Sequence, residues 1–384
     1  MRRALVISLI VGLLLFALAL VLREPQRAQS LSAVALIGSD EAEGFARADQ
    51  PREFAFPADF GPHPEFQTEW WYYTGNLSTQ EGRHFGYQLT FFRRALLPAG
   101  EYAARQSAWA TEHIYMAHFA LTDTANESHW AFERFSREGP GLAGAQAAPL
   151  RVWLEDWHLS ATGPDSYRLY AAADGLALSL DLQDLKGPIL HGAQGLSQKG
   201  PQTGNASYYL SQTRLASQGH IEIEGQRFEL SGLSWMDHEF STSALGAGQV
   251  GWDWFSIQLD DDRELMLFQL RREDGSQDPF SSATLVAPDG STQHFGLQDF
   301  SLQALETWTS PDSGARYPIA WQIEFPELDL SLQLRALLPD QELNLSFIYW
   351  EGAVSVSGLQ SGQTLSGMGY IEMTGYAQSM AGQF

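Results

Sequence analysis

Apolar and polar residues alternate along most of the chain beyond Phe54, which is the pattern of half-buried β-strands. Leucine occupies every second position in residues 176–182 and again in residues 328–334. Turn sequences such as Asp174-Gly175 separate these runs, and no long segment has the periodicity of an amphipathic helix. The pattern therefore predicts an all-β protein made of antiparallel strands.

Two neighbouring stretches differ in regularity. Residues 219–230 alternate well enough to predict one long strand. Residues 186–207 are rich in Gly, Gln and Ser and show no period. We interpret this second stretch either as a surface loop or as a lid over a barrel mouth.

An ordered set of features occurs twice in the chain. An aromatic strand, a turn, an apolar strand and a pair of arginines follow one another in residues 70–94 and again in residues 252–272. The repeated order predicts two related β-domains, the alternative being a chance likeness between two aromatic hairpins. Because closure into a barrel hides the edges of a sheet, we expect antiparallel barrels over residues 52–241 and 242–384.

The amino terminus has the features of an export signal. Two arginines precede an uninterrupted apolar run over residues 4–22, which is also long enough to span a bilayer. Residues 1–30 are therefore predicted to be a cleaved signal peptide or an N-terminal membrane anchor. A tether is predicted over residues 31–51. Both alternatives place the body of the protein outside the inner membrane, either in the periplasm or anchored to the outer face of that membrane.

Charge and composition exclude several classes of function. The chain has 46 acidic and 23 basic residues, a net charge of −23, so binding to a nucleic-acid backbone is not expected. It has no cysteine, phosphate-binding loop, Gly-x-Ser-x-Gly elbow or His-Glu-x-x-His motif, and no dinucleotide fingerprint between a strand and a helix. We therefore expect no cofactor, no metal and no serine-hydrolase chemistry. Aromatic residues make up 12% of the chain, which suits an apolar ligand pocket.

Six segments together resemble the AttH-like family, which is similar to the carotenoid 1,2-hydratases (hydroxyneurosporene synthases) and is often labelled "predicted secreted hydrolase". They are HPEFQTEWWYYTGNL at residues 63–77, FGYQLTFFR at 85–93, YMAHF at 115–119, SWMDHEF at 234–240, WDW at 252–254 and GYIEMTGY at 369–376. The resemblance implies two lipocalin-like (calycin) barrels. It also implies a small hydrophobic ligand of isoprenoid or lipid type.

The resemblance further implies a site near the junction of the two domains. Carotenoid hydratases carry an Asp-His element there, which Asp237 and His238 match. They carry a tryptophan two residues after the histidine, whereas this chain has Phe240. Hydration of an alkene needs an acid that protonates the double bond, aromatic faces that shield the resulting cation, and a base that activates water.

Carboxyl groups on the predicted strands could supply the acid and the base. Adjacent strand residues point to opposite faces, so Asp237 and Glu239 should share a pocket, whereas Asp237 and His238 should not. Asp253 shares its strand face with apolar residues, so burial should raise its pKa and make it a candidate acid. The alternative is that Asp253 lies at the wet end of its strand or pairs with an arginine. The candidate catalytic residues are thus Asp237, His238, Glu239 and Asp253.

Aromatic and polar residues of the same segments are candidates for binding the substrate. The aromatic residues could equally form barrel core, and His118 could be a core histidine whose hydrogen bonds are satisfied. Glu69 could anchor a polar group at the pocket mouth or bond a neighbouring loop. The candidate substrate-binding residues are Glu69, Trp70, Tyr72, His118, Trp235, Trp252 and Trp254.

Two functions are therefore open from the sequence. The first is a cofactor-independent enzyme of the hydro-lyase type, which adds water to an alkene of an isoprenoid-like substrate or catalyses a related addition or cyclisation. The second is a non-enzymatic carrier of lipids or hydrophobic metabolites in the cell envelope. A carrier needs the same apolar pocket but no tuned carboxyl group.

Overall fold

Two curled antiparallel β-sheets form nearly all of the computed structural model, which describes residues 43–98, 111–139, 141–242 and 245–381. The first sheet nearly closes into a barrel, the second forms half a barrel, and both belong to one structural unit. The predicted all-β fold with two lipocalin-like barrels is confirmed, with the second barrel open on one side. The predicted leader and most of the predicted tether lie outside the described residues.

The first sheet brings both ends of its own sequence together. Its strands are β1 (Thr68–Ser78), β2 (His84–Ala95), β3 (His113–Asp123), β4 (Ser128–Arg137), β5 (Ala143–Ala147), β6 (Leu150–Leu154), β7 (Trp157–Gly163), β8 (Ser166–Ala173), β9 (Leu176–Asp184), β10 (Ile189–Leu190), β11 (Leu196–Gln198), β12 (Ala206–Ile223) and β13 (Gln226–Ser241). They pair in the order β4-β3-β2-β1-β13-β12-β9-β8-β7-β6-β5, and β10 and β11 also pair with β12.

The second sheet follows the same plan. Its strands are β14 (Gln249–Leu259), β15 (Glu264–Arg272), β16 (Ser282–Val286), β17 (Thr292–Gly296), β18 (Ser301–Thr309), β19 (Arg316–Phe325), β20 (Leu330–Ala336), β21 (Glu342–Asn344), β22 (Ile348–Gln360) and β23 (Gln363–Met373). They pair in the order β17-β16-β15-β14-β23-β22-β20-β19-β18, with β21 on β22. The helices of the described residues are short 3₁₀ turns at Ala58–Phe60, Leu297–Asp299 and Pro326–Leu328, and none of them could cross a membrane.

The two sheets repeat one topology. In each sheet the first strand pairs with the second on one side and with the last on the other, so β1 lies between β2 and β13 as β14 lies between β15 and β23. Beyond the last strand, β13 is followed by β12 and β9, and β23 by β22 and β20. The sequence repeat of residues 70–94 and 252–272 therefore corresponds to equivalent strand pairs, β1–β2 and β14–β15.

Alternation along the strands separates buried from exposed positions, as the leucine patterns predict. Every second residue of β9 is buried in the core of the first barrel, including all four leucines of residues 176–182. Leu330, Leu332 and Leu334 are buried in the second barrel in the same way. Leu328 belongs to a 3₁₀ turn, so this strand begins two residues later than the pattern predicts.

Residues 219–230 do not form the single strand that their pattern predicts. β12 ends at Ile223 and β13 begins at Gln226, and both residues between them, Glu224 and Gly225, have positive φ angles. Two such residues form the tight turn whose twist matches that of a β-hairpin. Residues 186–207 are likewise not a bare loop, because they contain β10 and β11.

Candidate functional site

A mostly apolar cavity lies between the two sheets and is lined by strands of both. Its volume is about 150 Å³, similar to that of an engineered cavity that admits benzene. The cavity therefore accommodates a ring or a short branched apolar group. Large aromatic side chains dominate its wall, among them Trp70, Tyr72, Tyr209, Trp252, Trp254 and Phe268.

Three carboxyl groups face this apolar cavity, those of Asp237, Glu239 and Glu372. Asp237 and Glu239 are two residues apart on β13 and share a strand face, whereas Glu372 lies on β23 of the other sheet. Tyr72 is the cross-strand neighbour of Asp237, and Trp254 is that of Glu372. Each sheet thus brings a carboxyl group and an adjacent aromatic side chain to the same cavity.

Asp237 is held by three hydrogen-bond donors. Tyr209 Oη donates to Oδ2 over 2.5 Å, Trp235 Nε1 donates to Oδ1 over 2.6 Å, and Ser211 Oγ also donates to Oδ1. Burial raises the pKa of Asp237 to about 7, although these donors oppose the shift. The carboxyl group can therefore gain or lose a proton near neutral pH while its donors fix its position.

Glu372 carries the matching carboxyl group of the second sheet. Trp252 Nε1 donates a hydrogen bond to its Oε1 over 2.5 Å. Burial raises the pKa of Glu372 to about 7, and the negative charges of Asp237 and Glu239 add to the shift. Directly across the strand pair lies Glu351, whose pKa burial and the charge of Glu372 raise well above its usual range.

Lys199 places a positive charge at the cavity. Its Nζ lies 3.3 Å from Oε1 of Glu239 and 3.9 Å from the ring centre of Phe268. Ser207 also donates a hydrogen bond to Glu239. Because Lys199 belongs to residues 186–207, the stretch predicted as a loop or lid contributes to the cavity wall.

Most of the site residues predicted from the sequence meet at this cavity. Trp235 lies behind the wall, where it donates to Asp237, and the remaining three, Glu69, His238 and Asp253, point away from the cavity. The predicted residues that line the cavity are Trp70, Tyr72, His118, Asp237, Glu239, Trp252 and Trp254.

Glu69 and His238 meet on the opposite face of the strands that line the cavity. Glu69 Oε1 lies 2.9 Å from His238 Nε2 and 2.9 Å from His63 Nδ1, and Arg93 Nε donates to Oε2 over 2.8 Å. Burial alone would raise the pKa of Glu69, but the Arg93 guanidinium holds this pKa well below its usual range. This buried network ties the segment before β1 to β2 and β13.

His63, Glu69 and His238 also have the composition of a metal-binding triad, with candidate ligand atoms within 4.8 Å of one another. Both oxygens of Glu69 already accept from the backbone N–H of His63, and one of them accepts from Arg93. A cation would compete with the Arg93 guanidinium for the same carboxylate. We therefore assign these residues to a hydrogen-bonded anchor and propose no metal site there.

Asp253 lies inside the second barrel, on the face of β14 opposite Trp252 and Trp254. It is fully buried, its Oδ2 lies 3.2 Å from Arg271 Nε, and Gln269 also donates to it. Burial raises the pKa of Asp253, although Arg271 opposes the shift. Asp253 itself does not line the cavity, so its raised pKa does not make it a candidate acid there.

Phe240, at the position where carotenoid hydratases carry tryptophan, also points away from the cavity. Its ring stacks on that of His63 with centroids 3.6 Å apart, and it packs with Phe66. Ala48, from the segment predicted as a tether, is buried in the same cluster. The Phe240 difference therefore affects the packing around the buried anchor and leaves the cavity wall unchanged.

Sequence reasoning did not identify several residues at or behind the cavity wall. Glu372 could have been found, because the period-two pattern of residues 370–374 places it on one face with other wall residues. Lys199 gave no signal, since it lies in a stretch without a period. Four of these residues, which carry polar groups, are Lys199, Tyr209, Glu351 and Glu372.

The fold and the site define a pair of lipocalin-like barrels that share one aromatic, carboxyl-lined cavity. The AttH-like family model matches residues 47–376, and the chain belongs to this family, which confirms the resemblance seen in the sequence. A comparison with curated proteins gives no significant match.

Solved structures share this architecture. An AttH-type protein from Nitrosomonas europaea is 35% identical, the match covers 86% of this chain and 100% of that chain, and the TM-score is 0.77. Kievitone hydratase from Nectria haematococca is 13% identical, with 87% and 96% covered and a TM-score of 0.66. CghA in complex with Sch210972 is 14% identical, with 88% and 97% covered and a TM-score of 0.52.

Proposed function

We propose that the protein adds water, without a cofactor, to a carbon–carbon double bond of a small isoprenoid- or lipid-like substrate held between the barrels. One observation carries the proposal: Asp237 and Glu372, each with a pKa of about 7, face one aromatic-lined cavity. Two such carboxyl groups can hold a proton on one and a negative charge on the other near neutral pH. Acid–base addition of water requires this division.

Glu372 is suited to be the acid. Neighbouring negative charges disfavour its ionised form, and Glu351 lies directly across the strand pair. Its proton would pass to one alkene carbon and leave a positive charge on the other carbon. The faces of Trp252 and Trp254 at the cavity wall would stabilise that charge.

Asp237 is suited to be the base, because Tyr209, Ser211 and Trp235 donate hydrogen bonds that stabilise its charged form. A water molecule beside the carboxylate would bond through its oxygen to the cation and give a proton to Asp237. One proton has then left Glu372 for the product, and another has passed from water to Asp237. A new cycle requires Glu372 to regain a proton and Asp237 to release its own proton to solvent.

Two further observations support the proposal, one from solved structures of the same fold and one from the amino-terminal sequence. A protein of the same fold is named as a hydratase, and another binds the small molecule Sch210972. The arginines and the apolar run at residues 4–22 favour an exported body, in the periplasm or held at the outer face of the inner membrane. Isoprenoids and lipids of the envelope are therefore the substrates to examine first.

A labelled-water experiment tests the reaction. The full chain is purified from a lipid-containing extract, and the small molecules that co-purify with it are identified by mass spectrometry. These compounds and a panel of neutral isoprenoid alkenes are then incubated with the protein in heavy-oxygen water. We expect an alcohol that carries one heavy oxygen, and a loss of rate of about a hundredfold in Asp237→Asn and in Glu372→Gln.

Asp253→Asn is the matched control, because it removes a buried carboxyl group that lies outside the cavity. We expect it to keep the rate of the wild-type protein. A labelled product whose rate survives both cavity substitutions would place the chemistry elsewhere. A bound ligand that is recovered unchanged, with no labelled product, would instead identify the protein as a carrier.

A further inference from the structure

Glu351 is a buried carboxyl group surrounded by tyrosines. The hydroxyl groups of Tyr72 and Tyr349 lie close enough to lower its pKa, against the larger effect of burial, which raises it. In the described part of the chain, neither oxygen of Glu351 and neither hydroxyl of Tyr72 and Tyr370 has a hydrogen bond of regular geometry. Burial therefore favours the neutral form of Glu351, and no strong hydrogen bond holds its carboxyl group in place.

Tyr349 connects Glu351 with the surface of the first barrel. Its hydroxyl oxygen lies 2.7 Å from His118 Nδ1, and His118 Nε2 lies 3.0 Å from Glu133 Oε1. The Glu133 side chain is 14% exposed on β4, an edge strand, and it lines an open depression of the surface. Hydrogen bonds thus connect Glu133 with Tyr349, and Glu351 follows two residues later on the same strand face, where it is the cross-strand neighbour of Glu372.

We propose that Glu133, His118, Tyr349 and Glu351 form a proton relay that returns a proton from solvent to Glu372. The purpose of the relay rests on the proposed function, whereas proton movement along it is a property of the protein without substrate. A substrate that fills the cavity would separate Glu372 from water, so a route through the wall has a clear use. Histidine and tyrosine suit such a route because each side chain can both accept and donate a proton.

The protons balance along the relay. Glu351 gives its proton to the Glu372 carboxylate, and Tyr349 gives its hydroxyl proton to Glu351. The tyrosine oxygen takes the Nδ1 proton of His118, whose Nε2 takes a proton from the Glu133 carboxyl group. Solvent then protonates Glu133 again. One proton has moved from solvent to Glu372, and no other group has changed its charge.

Infrared spectroscopy of the carboxyl C=O stretch tests the relay on the full chain without any substrate. Glu351→Gln identifies the band of protonated Glu351 by its disappearance. Transfer into deuterated water shifts this band as a deuteron replaces the proton, and the rate of the shift is measured. The rates are compared in a Glu372→Gln background, because this substitution removes the carboxyl connection between Glu351 and the cavity.

In that background we expect Tyr349→Phe and His118→Phe each to slow the exchange about tenfold or more. Tyr73→Phe is the matched control, because it removes a buried hydroxyl group from the core of the first barrel and should leave the rate unchanged. Exchange that neither relay substitution slows would overturn the relay, as would the lack of a Glu351 band. The hydration proposal would survive both results, because its own test is the labelled product.

Discussion

Asp237→Asn should remove a dependence of folding stability on pH that the buried carboxyl group creates. In the unfolded chain this group ionises near its ordinary pKa of 3.8, whereas burial in the folded protein raises the pKa to about 7. Between these two values, unfolding releases the proton. The free energy of unfolding therefore falls as the pH rises through this window, and the full penalty is present above the folded pKa.

The size of the effect follows from the two pKa values. Their separation corresponds to about 4 kcal/mol when fully developed, of which about 3 kcal/mol falls between about pH 5 and about pH 8. Asparagine does not ionise, so the variant should lose this slope. At low pH it should also be less stable than wild type, because the amide nitrogen that replaces one carboxyl oxygen cannot accept the hydrogen bonds of that oxygen, either the one from Tyr209 or those from Ser211 and Trp235.

Urea unfolding of the full chain at several pH values between these limits measures the difference. We expect the stability gap between wild type and Asp237→Asn to narrow by about 3 kcal/mol as the pH rises. Glu81→Gln, at an exposed turn, is the control for general effects of charge and should keep a constant gap. A gap that stays constant for Asp237→Asn as well would show that the folded carboxyl group ionises normally, and the assignment of Asp237 as a tuned base would fail.

Two further substitutions test the anchor behind the cavity and the acid within it. Arg93→Met should lower the free energy of unfolding by about 3–5 kcal/mol, because Glu69 would stay buried without its cation. Urea unfolding measures this loss, and a midpoint equal to that of wild type would contradict the prediction. Trp252→Phe removes a donor from Glu372 and should raise the pKa of that carboxyl group further. The midpoint of the infrared titration of Glu372 should move to higher pH. An unchanged midpoint would show that the hydrogen bond from Trp252 does not stabilise the charged form of Glu372.

The strands and their buried faces are predictable from this sequence because they depend on local alternation. The leucines of residues 176–182 show this, since the pattern alone gives both their strand and their buried side. The turn at Glu224 and Gly225 is not predictable in the same way. Few residues other than glycine, asparagine and aspartate adopt positive φ angles, so a glutamate there carries no turn signal.

The strand face on which each site residue lies is predictable to the same extent. The place where these residues come together in the folded protein is not. Period two separates Asp237 and Glu239 from His238, and the structure places them on opposite sides of β13. Which of the two faces of β14 meets the first barrel depends on how the sheets pack. In the structure, Asp253 is buried inside the second barrel with Arg271. The carboxyl group of the second barrel that faces the cavity with Asp237 is therefore that of Glu372, on a strand far from β13 in sequence.

The repeated topology explains why both barrels contribute carboxyl groups to the cavity. Asp237 on β13 pairs with Tyr72 of β1, and Glu372 on β23 pairs with Trp254 of β14, so the two acids occupy equivalent places in equivalent strand pairs. Two copies of one barrel that pack through the same face bring their own acids to a common cavity. The repeat thus accounts for the pair formed by Asp237 and Glu372, whereas Glu239 is a second carboxyl group from β13.

Two acids in equivalent places would have equal proton affinity, and an acid–base reaction needs them to differ. The difference arises one strand further on, where Ser211 of β12 is the neighbour of Asp237 and Glu351 of β22 is the neighbour of Glu372. Ser211 donates a hydrogen bond and favours the charged form of Asp237, whereas the ionised forms of Glu351 and Glu372 repel each other. The difference in this one neighbour, serine in the first barrel and glutamate in the second, is therefore the feature that would favour Asp237 as the proposed base and Glu372 as the proposed acid.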